Sequence, residues 1–215
     1  MEQDVETLPV TRRESRKQDR RQAIIEAARA SFLEHGYAGT SMSGLLKPLG
    51  GSKATLWGYF RSKEELFAAV IEEVSLLFRA EIQDVLATRA DLEQSLVAFC
   101  RTFLRKITSP DGQATWRLVV AESGRFPEVG RIFHQKAAGP AQDTLRDFLA
   151  LHIAEGRLIA EDPAIMVETL MSLCIGQHMR AIWGLDPLTD SEIDACANRF
   201  TQIFLKTYSA AAIRS

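Results

Sequence analysis

The run Thr40-Ser41-Met42-Ser43-Gly44-Leu45-Leu46-Lys47-Pro48-Leu49-Gly50-Gly51-Ser52-Lys53-Ala54-Thr55-Leu56-Trp57-Gly58-Tyr59-Phe60 decides how this chain is read. Thr40 or Ser41 is suited to cap a short helix whose apolar positions are Met42, Leu45, Leu46 and Leu49, and Gly50-Gly51 breaks it. Ser52 restarts the chain as the cap of a second short helix, about Lys53 to Phe60, with Leu56 and Phe60 directed inward. By helical phase Tyr59 points outward. Helix, tight turn and helix is the geometry in which one helix lies across DNA phosphates while the next enters the major groove. A groove helix needs small or polar outward residues, and Ser52, Lys53, Ala54, Thr55 and Gly58 meet that need. On spacing alone, DNA binding and a plain packing motif stand level. Pro48 is the oddity, because a late proline removes a backbone bond and presses on the Gly44 carbonyl, so the first helix of the pair is expected to kink or end early.

Upstream, Ile24, Ala27, Ala28, Ser31 and Phe32 recur at helical spacing, and Gly36 is the expected C-cap. Order is expected from near Arg20. Residues 1–18 lack apolar periodicity and carry Arg12, Arg13, Arg16 and Lys17, which predicts a mobile basic arm, either a solvated tail or a DNA-contacting one. Downstream, Ser62-Lys63-Glu64-Glu65 has the form of a capping box, and Phe67, Val70, Ile71, Val74, Leu77, Phe78, Ile82 and Val85 continue a long amphipathic helix. Lys63 stands at a helix start, where a cation opposes the dipole, and a DNA phosphate is an attractive partner for it.

The same grammar fills the remainder. Leu92, Leu96, Phe99, Phe103 and Ile107 form one stripe ended by Pro110-Asp111-Gly112, and a further helix carries Trp116 to Ser123. Phe126-Pro127 and Gly139-Pro140 place prolines where helices begin, and Gly156 closes the segment carrying Leu145, Phe148, Leu149 and Ile153. One helix is expected from Asp162-Pro163 to about Trp183-Gly184, and a last one behind the Thr189–Glu192 capping box, with Ile193, Cys196, Phe200, Phe204 and Tyr208. No strand pattern and no internal repeat competes. The expectation is all-α: an arm over 1–18, a three-helix head over 19–62, and a helical body over 63–215 reached through the long helix.

Charge separates head from body. Residues 11–63 hold eleven basic side chains against four acidic ones, whereas 64–215 hold fifteen against twenty-one, although the whole chain is near neutral. A basic head on an acidic body suits DNA at one end. Cys100, Cys174 and Cys196 are odd in number and sit in apolar helical patterns, so core packing in a reducing cytosol is expected rather than disulfides or a zinc ribbon. No apolar run approaches a membrane span. A cytoplasmic protein without membrane partners is expected.

Residues 20–74, through Ala27-Ala28, Phe32, Gly36-Tyr37, Thr40-Ser41, Gly50, Ser52 to Phe60 and Ser62-Lys63-Glu64-Glu65-Leu66, resemble the DNA-binding domain of the tetracycline-repressor (TetR) family. The resemblance covers about a quarter of the chain. It implies an all-helical homodimer, released by a small-molecule effector from palindromic double-stranded operator DNA, most often a repressor, with a divergent C-terminal domain. Leu49-Gly50-Gly51 stands where the family usually has Ala-Gly-Val, and Ala54-Thr55-Leu56-Trp57 where it has Gly-Thr-Leu-Tyr. By analogy the Trp57 position touches a phosphate, which an indole N–H can still do. The expected DNA-contacting set is Arg12, Arg13, Arg16, Lys17, Thr40, Ser41, Ser52, Lys53, Ala54, Thr55, Trp57, Gly58, Tyr59 and Lys63.

An effector pocket is expected where aromatic and soft side chains meet a few polar ones. Phe103, Trp116, Phe133, Met171, Cys174 and His178 are the candidates, the last three on one helix face at i, i+3 and i+7. Taken singly, each is more often ordinary core. A Cys174/His178 metal pair lacks further ligands at recognisable spacing, so neither metal nor cofactor is expected. The last two helices, apolar on several faces, are the expected dimer surface. A helical enzyme and a protein-binding adaptor are the alternatives. No glycine-rich phosphate loop or nucleophile elbow supports the first, and the small-residue groove helix argues against the second.

Overall fold

The computed structural model describes residues 12–46, 50, 52–87 and 91–211, without the side chains of Lys53 and Ala181. Ten α-helices are defined among them: α1 (Arg12–Gly39), α2 (Lys53–Tyr59), α3 (Lys63–Ala87), α4 (Leu92–Thr108), α5 (Pro110–Ser123), α6 (Pro127–Phe133), α7 (Gly139–Ala154), α8 (Pro163–Ile175), α9 (His178–Ile182) and α10 (Asp190–Tyr208). A π-helical turn, His134–Ala138, joins α6 to α7. The only β pairing among the described residues is an isolated bridge between Leu158 and Ser209. The chain divides into two compact units, Met1–Val70 and Ile71–Ser215.

In the first unit, α1 breaks at Gly36, whose φ of 74° is open to glycine and strained for other residues. The break swings Tyr37 onto Phe32 at a ring separation of 5.7 Å, and Phe67 meets both rings edge-on at 5.1 and 5.3 Å. Ile24, Ile25, Ala28, Leu45, Leu56, Phe60 and Leu66 complete this core. Because Leu66, Phe67 and Val70 are buried here, the first unit takes in the opening turns of α3, and its edge falls eight residues beyond the expected boundary at 62/63.

The expected arm is corrected in part. Residues 12–18 are the first two turns of α1, and residues 1–11 lie outside the described residues. Arginine, lysine, glutamine and glutamate are good helix formers, so this stretch extends α1 into solvent without needing an apolar stripe. Of the first helix of the expected pair, the described residues show a turn over 42–45, where the Gly44 and Leu45 amides bond to the Ser41 carbonyl at 3.0 and 3.3 Å, and helical backbone at Leu46. Pro48 lies outside the described residues. Gly50 closes the turn at φ 60°, and its carbonyl accepts from the Arg20 guanidinium.

In the second unit, α10 lies along α4. Thr201 Oγ1 donates to Cys100 Sγ at 3.8 Å, while Arg101–Asp194 and Arg105–Asp190 pair along the exposed seam. Such exposed pairs contribute at most about 1 kcal/mol each, and the seam depends mainly on Leu96, Phe99, Cys100, Ala197, Phe200 and Phe204. The α7–α8 loop is tied to the end of α10 by Ile159 N–H to Tyr208 O at 2.9 Å and Ala210 N–H to Arg157 O at 3.1 Å. The Thr189–Glu192 capping box forms as expected, with both reciprocal bonds present.

Gly139-Pro140 begins α7 as expected, with Pro140 in its first turn, and the π turn before it, in which Gly139 N–H reaches back five residues to His134 O, carries the chain past a proline that has no N–H to donate. One expected helix is corrected. The helix expected to run to Trp183-Gly184 ends at Ile175, and a turn through Gly176-Gln177 starts the separate α9 at His178. Met171 and His178 therefore do not share one continuous helix.

Candidate functional site

The first unit builds a surface on α2. Ser52 caps it, its Oγ accepting from Thr55 N–H at 3.2 Å and pairing with Thr55 Oγ1 at 3.0 Å. Leu56 and Phe60 anchor the inner side, with Arg21 stacked over the Phe60 ring at 5.3 Å. Ser52, Ala54, Thr55, Trp57 and Gly58 are exposed, Trp57 at 48%, and Tyr59 is half-buried. A Cβ added to Gly58 would meet nothing within 4 Å. The outward side of α2 is thus a low surface of small and hydroxyl side chains with one indole, and it lets a backbone approach base edges. Ser41, Arg12, Arg13, Arg16 and Lys17 are also exposed.

Two expected contacts have internal partners instead. Thr40 is only 2% exposed, and its Oγ1 donates to the Gly36 carbonyl at 2.9 Å and pairs with Ser31 Oγ at 3.0 Å. Its hydroxyl latches the break in α1, so Thr40 leaves the DNA-contacting set. Lys63 Nζ donates to the Tyr37 carbonyl at 2.9 Å and lies 4.2 Å over the Tyr37 ring. The cation at the start of α3 is therefore balanced by a carbonyl near the C-terminal end of α1.

The second unit contains a cavity of about 160 Å³ among α3, α4, α5, α6, the π turn, α7, α8 and α9. Phe103, Trp116, Phe133, Met171 and His178 all line it. Cys174 does not. It is fully buried in the core, and its thiol is pushed well above the usual range by its contact with Cys100 and by burial. The α8 face at i and i+3 is divided between cavity and core, which corrects the expected pocket. Sequence reasoning missed Val74, Ser75, Lys106 and Gln142, because no single helix period links residues contributed by separate helices. Lys106 Nζ donates to the Val74 carbonyl at 2.7 Å.

One side of the lining gathers three rings. The Trp116 and His178 rings stack at 4.5 Å and 15°, and Phe133 sits 6.4 Å from Trp116. His178 is 7% exposed, and burial holds its imidazole down at about 4, so it is uncharged at neutral pH. Trp116 Nε1 and His178 Nδ1 are buried without a hydrogen-bond partner. Orphaned buried groups of this kind are uncommon, and each costs about 1–3 kcal/mol. Among the described residues no three His, Cys, Asp or Glu side chains gather as a metal would need, and no helix is long and apolar enough to cross a membrane.

The comparisons with known proteins cover both units. Residues 24–70 match the family described as bacterial regulatory proteins, tetR family, and residues 94–210 match the AefR-like transcriptional repressor, C-terminal domain. The HTH-type transcriptional repressor AcnR of Corynebacterium diphtheriae is 35% identical over 155 residues, 71% of this chain and 75% of that protein. The HTH-type transcriptional repressor ComR of Escherichia coli is 27% identical over 141 residues, 64% of this chain and 67% of its own. Among solved structures, the flavonoid-responsive regulator FrrA superposes with a TM-score of 0.77 at 31% identity, covering 89% of this chain and 98% of that one. The exposed side of α2, the cavity of the second unit and these matches together make the chain a member of the TetR family of ligand-responsive, DNA-binding transcriptional repressors, and not an enzyme.

Proposed function

We propose that this chain acts in the cytoplasm as a homodimeric repressor that leaves a palindromic operator when a small apolar or aromatic effector enters the cavity behind Trp116 and His178. The observation that carries the effector class is the cavity itself, with a largely apolar wall that includes the rings of Phe78, Phe103, Trp116, Phe133 and His178 and no carboxylate among its lining residues. On DNA, Ser52, Lys53, Ala54, Thr55, Trp57, Gly58 and Tyr59 form the groove-facing set. Ser41 and the exposed Arg12, Arg13, Arg16 and Lys17 supply phosphate contacts. Lys63 serves first to hold the head together through Tyr37.

Exposed Ile165, Ile175, Met179, Ile182, Trp183 and Ile203 on α8 to α10 and the segment after α9 support a second copy as the partner, since so much exposed apolar surface at one end of the sequence favours self-association. A ligand releases DNA only by binding the DNA-incompetent state more tightly. Helix α3 is suited to carry the change, because Val74, Ser75 and Phe78 line the cavity while Leu66 and Phe67 of the same helix belong to the core of the head. The relative FrrA, named as flavonoid-responsive, is consistent with an aromatic effector.

The test begins with duplexes selected by the protein from a random-sequence pool. The enriched DNA is expected to be an inverted repeat with half-sites about one helical turn apart or a multiple of it, bound by a dimer in light scattering. A monomer protecting one unrepeated half-site refutes the arrangement.

A further inference from the structure

Trp116 and His178 line the cavity, and one nitrogen of each is buried behind its wall with nothing to bond. Trp116 Nε1 can only donate, while the Nδ1 of an uncharged imidazole donates or accepts according to its tautomer. Stacking at 4.5 Å keeps them in one corner of the wall. An apolar ligand would leave both unpaired. A carboxylate offers acceptors alone and brings a charge to a site whose single cationic lining residue, Lys106, is bonded to Val74 O. A cation finds no carboxylate among the lining residues. A hydroxyl both donates and accepts, and therefore answers an indole N–H together with either tautomer of His178.

Size and shape narrow the ligand further. A volume of about 160 Å³ is close to the roughly 150 Å³ of an apolar cavity that admits benzene, so one aromatic ring with a short substituent fits. Phe103, Phe133 and Trp116 supply the faces and edges that such a ring prefers.

We propose that the cavity takes an uncharged single-ring arene bearing one hydroxyl, a phenol-class ligand. Its ring lies among Phe103, Trp116 and Phe133, and its hydroxyl pairs with Trp116 Nε1 and His178 Nδ1, a small turn of either ring bringing these covered atoms to it. The proposal rests on the reading of this cavity as the effector site.

The test is calorimetric titration of the full chain with 4-ethylphenol, ethylbenzene and 4-ethylbenzoate, alongside W116F and H178F, which keep an aromatic ring and remove the nitrogen. The phenol is expected to bind about tenfold more tightly than the hydrocarbon, in keeping with one to two net hydrogen bonds. In either variant that ratio, which compares two ligands in the same cavity, falls to about threefold or less, while the helical circular-dichroism spectrum is retained. Equal affinity of phenol and hydrocarbon overturns the proposal, as does tighter binding of the benzoate, a ratio that survives in both variants, or no binding by any of the three. The selected duplex separates this from the effector reading. If ethylbenzene and 4-ethylphenol bind equally and both release DNA, the hydroxyl recognition is refuted and the effector site stands. If 4-ethylphenol binds with the expected ratio and DNA is held unchanged, the effector reading fails and the recognition stands.

Discussion

Replacing Gly58 by alanine separates the stability of the head from its grip on DNA. Gly58 has no positive φ, it lies in the seven-residue α2, and an added Cβ meets nothing within 4 Å. The methyl therefore enters open space, and the lower backbone entropy of alanine stabilises the helix by about 0.5 kcal/mol, the low end of the usual range, because Gly58 is next to the last residue of α2. For a chain of this size that raises Tm by roughly 1–2 °C. On DNA the same methyl stands on the outward side of α2, between backbone and base edges. Affinity is expected to fall about tenfold per recognition helix, roughly a hundredfold for a dimer that uses two. Thermal melting by circular dichroism reads the first quantity and fluorescence anisotropy on a selected duplex the second. Repeating the anisotropy at several salt concentrations shows whether the slope, which counts phosphate contacts, is retained. A lower Tm refutes the open-space geometry; unchanged affinity with the expected Tm refutes α2 as the groove helix.

Thr40→Val keeps the shape of the side chain and removes the hydroxyl between Gly36 and Ser31, so the head is expected to lose about 1–2 kcal/mol while the salt slope of DNA binding stays at the wild-type value; a shallower slope would return Thr40 to the interface. Gly112→Ala drives a Cβ to 2.0 Å from the Lys106 carbonyl oxygen, a backbone atom that cannot yield cheaply, and opening the α4–α5 corner is expected to lower stability by about 3 kcal/mol in urea titration, with a change under about 0.5 kcal/mol contradicting the packing. His178 holds its folded-state pKa near 4, below the ordinary 6.5, so its contribution is present in full above pH 6.5 and is lost as pH falls toward 4. The loss has a ceiling of about 3 kcal/mol, and H178F is expected to reduce the slope of the urea midpoint across that window, leaving the part due to His152, whose pKa burial also lowers.

Much of the head was legible because its signals are local. Ser52 and Thr189 announce helix starts through side-chain chemistry that acts within a few residues, and Gly36 announces the break in α1 through the backbone freedom of a residue with no side chain. Leu56 and Phe60 went inward by period alone. What escaped reading depends on partners distant in the chain. Thr40 looked like an exposed cap until the break at Gly36 presented a carbonyl to it, and Lys63 looked unsatisfied until Tyr37 was folded against it. Gly176 interrupts an apolar pattern that glycine alone does not end, so the split between α8 and α9 left no periodic trace. Five of the six expected pocket residues do line the cavity, since large aromatics and soft side chains collect where helices diverge. Cys174 failed because three residues of spacing separate a core-facing position from a cavity-facing one on the same helix. The start of α1 was misplaced by reading apolar period as a requirement, when charged good helix formers extend an anchored helix without it.

The π turn at His134–Ala138 bears on how this wall can change in length. In an α-helix the loss of one residue rotates everything beyond it by about 100°, which would turn Ala141, Leu145, Phe148 and Leu149 of α7 away from the core. A π turn already holds one residue more than the α-helical path between its flanks requires, so a single deletion within 134–138 rewinds it to α and leaves the phase of α7 intact. Ala137 and Ala138 line the cavity, and the same deletion would redraw that part of its outline. Residues 127–154 thus contain one place where length can vary without scrambling the buried face, and it lies against the cavity. Loss of that one residue is a route by which the chamber can be resized while the surrounding scaffold stays in register.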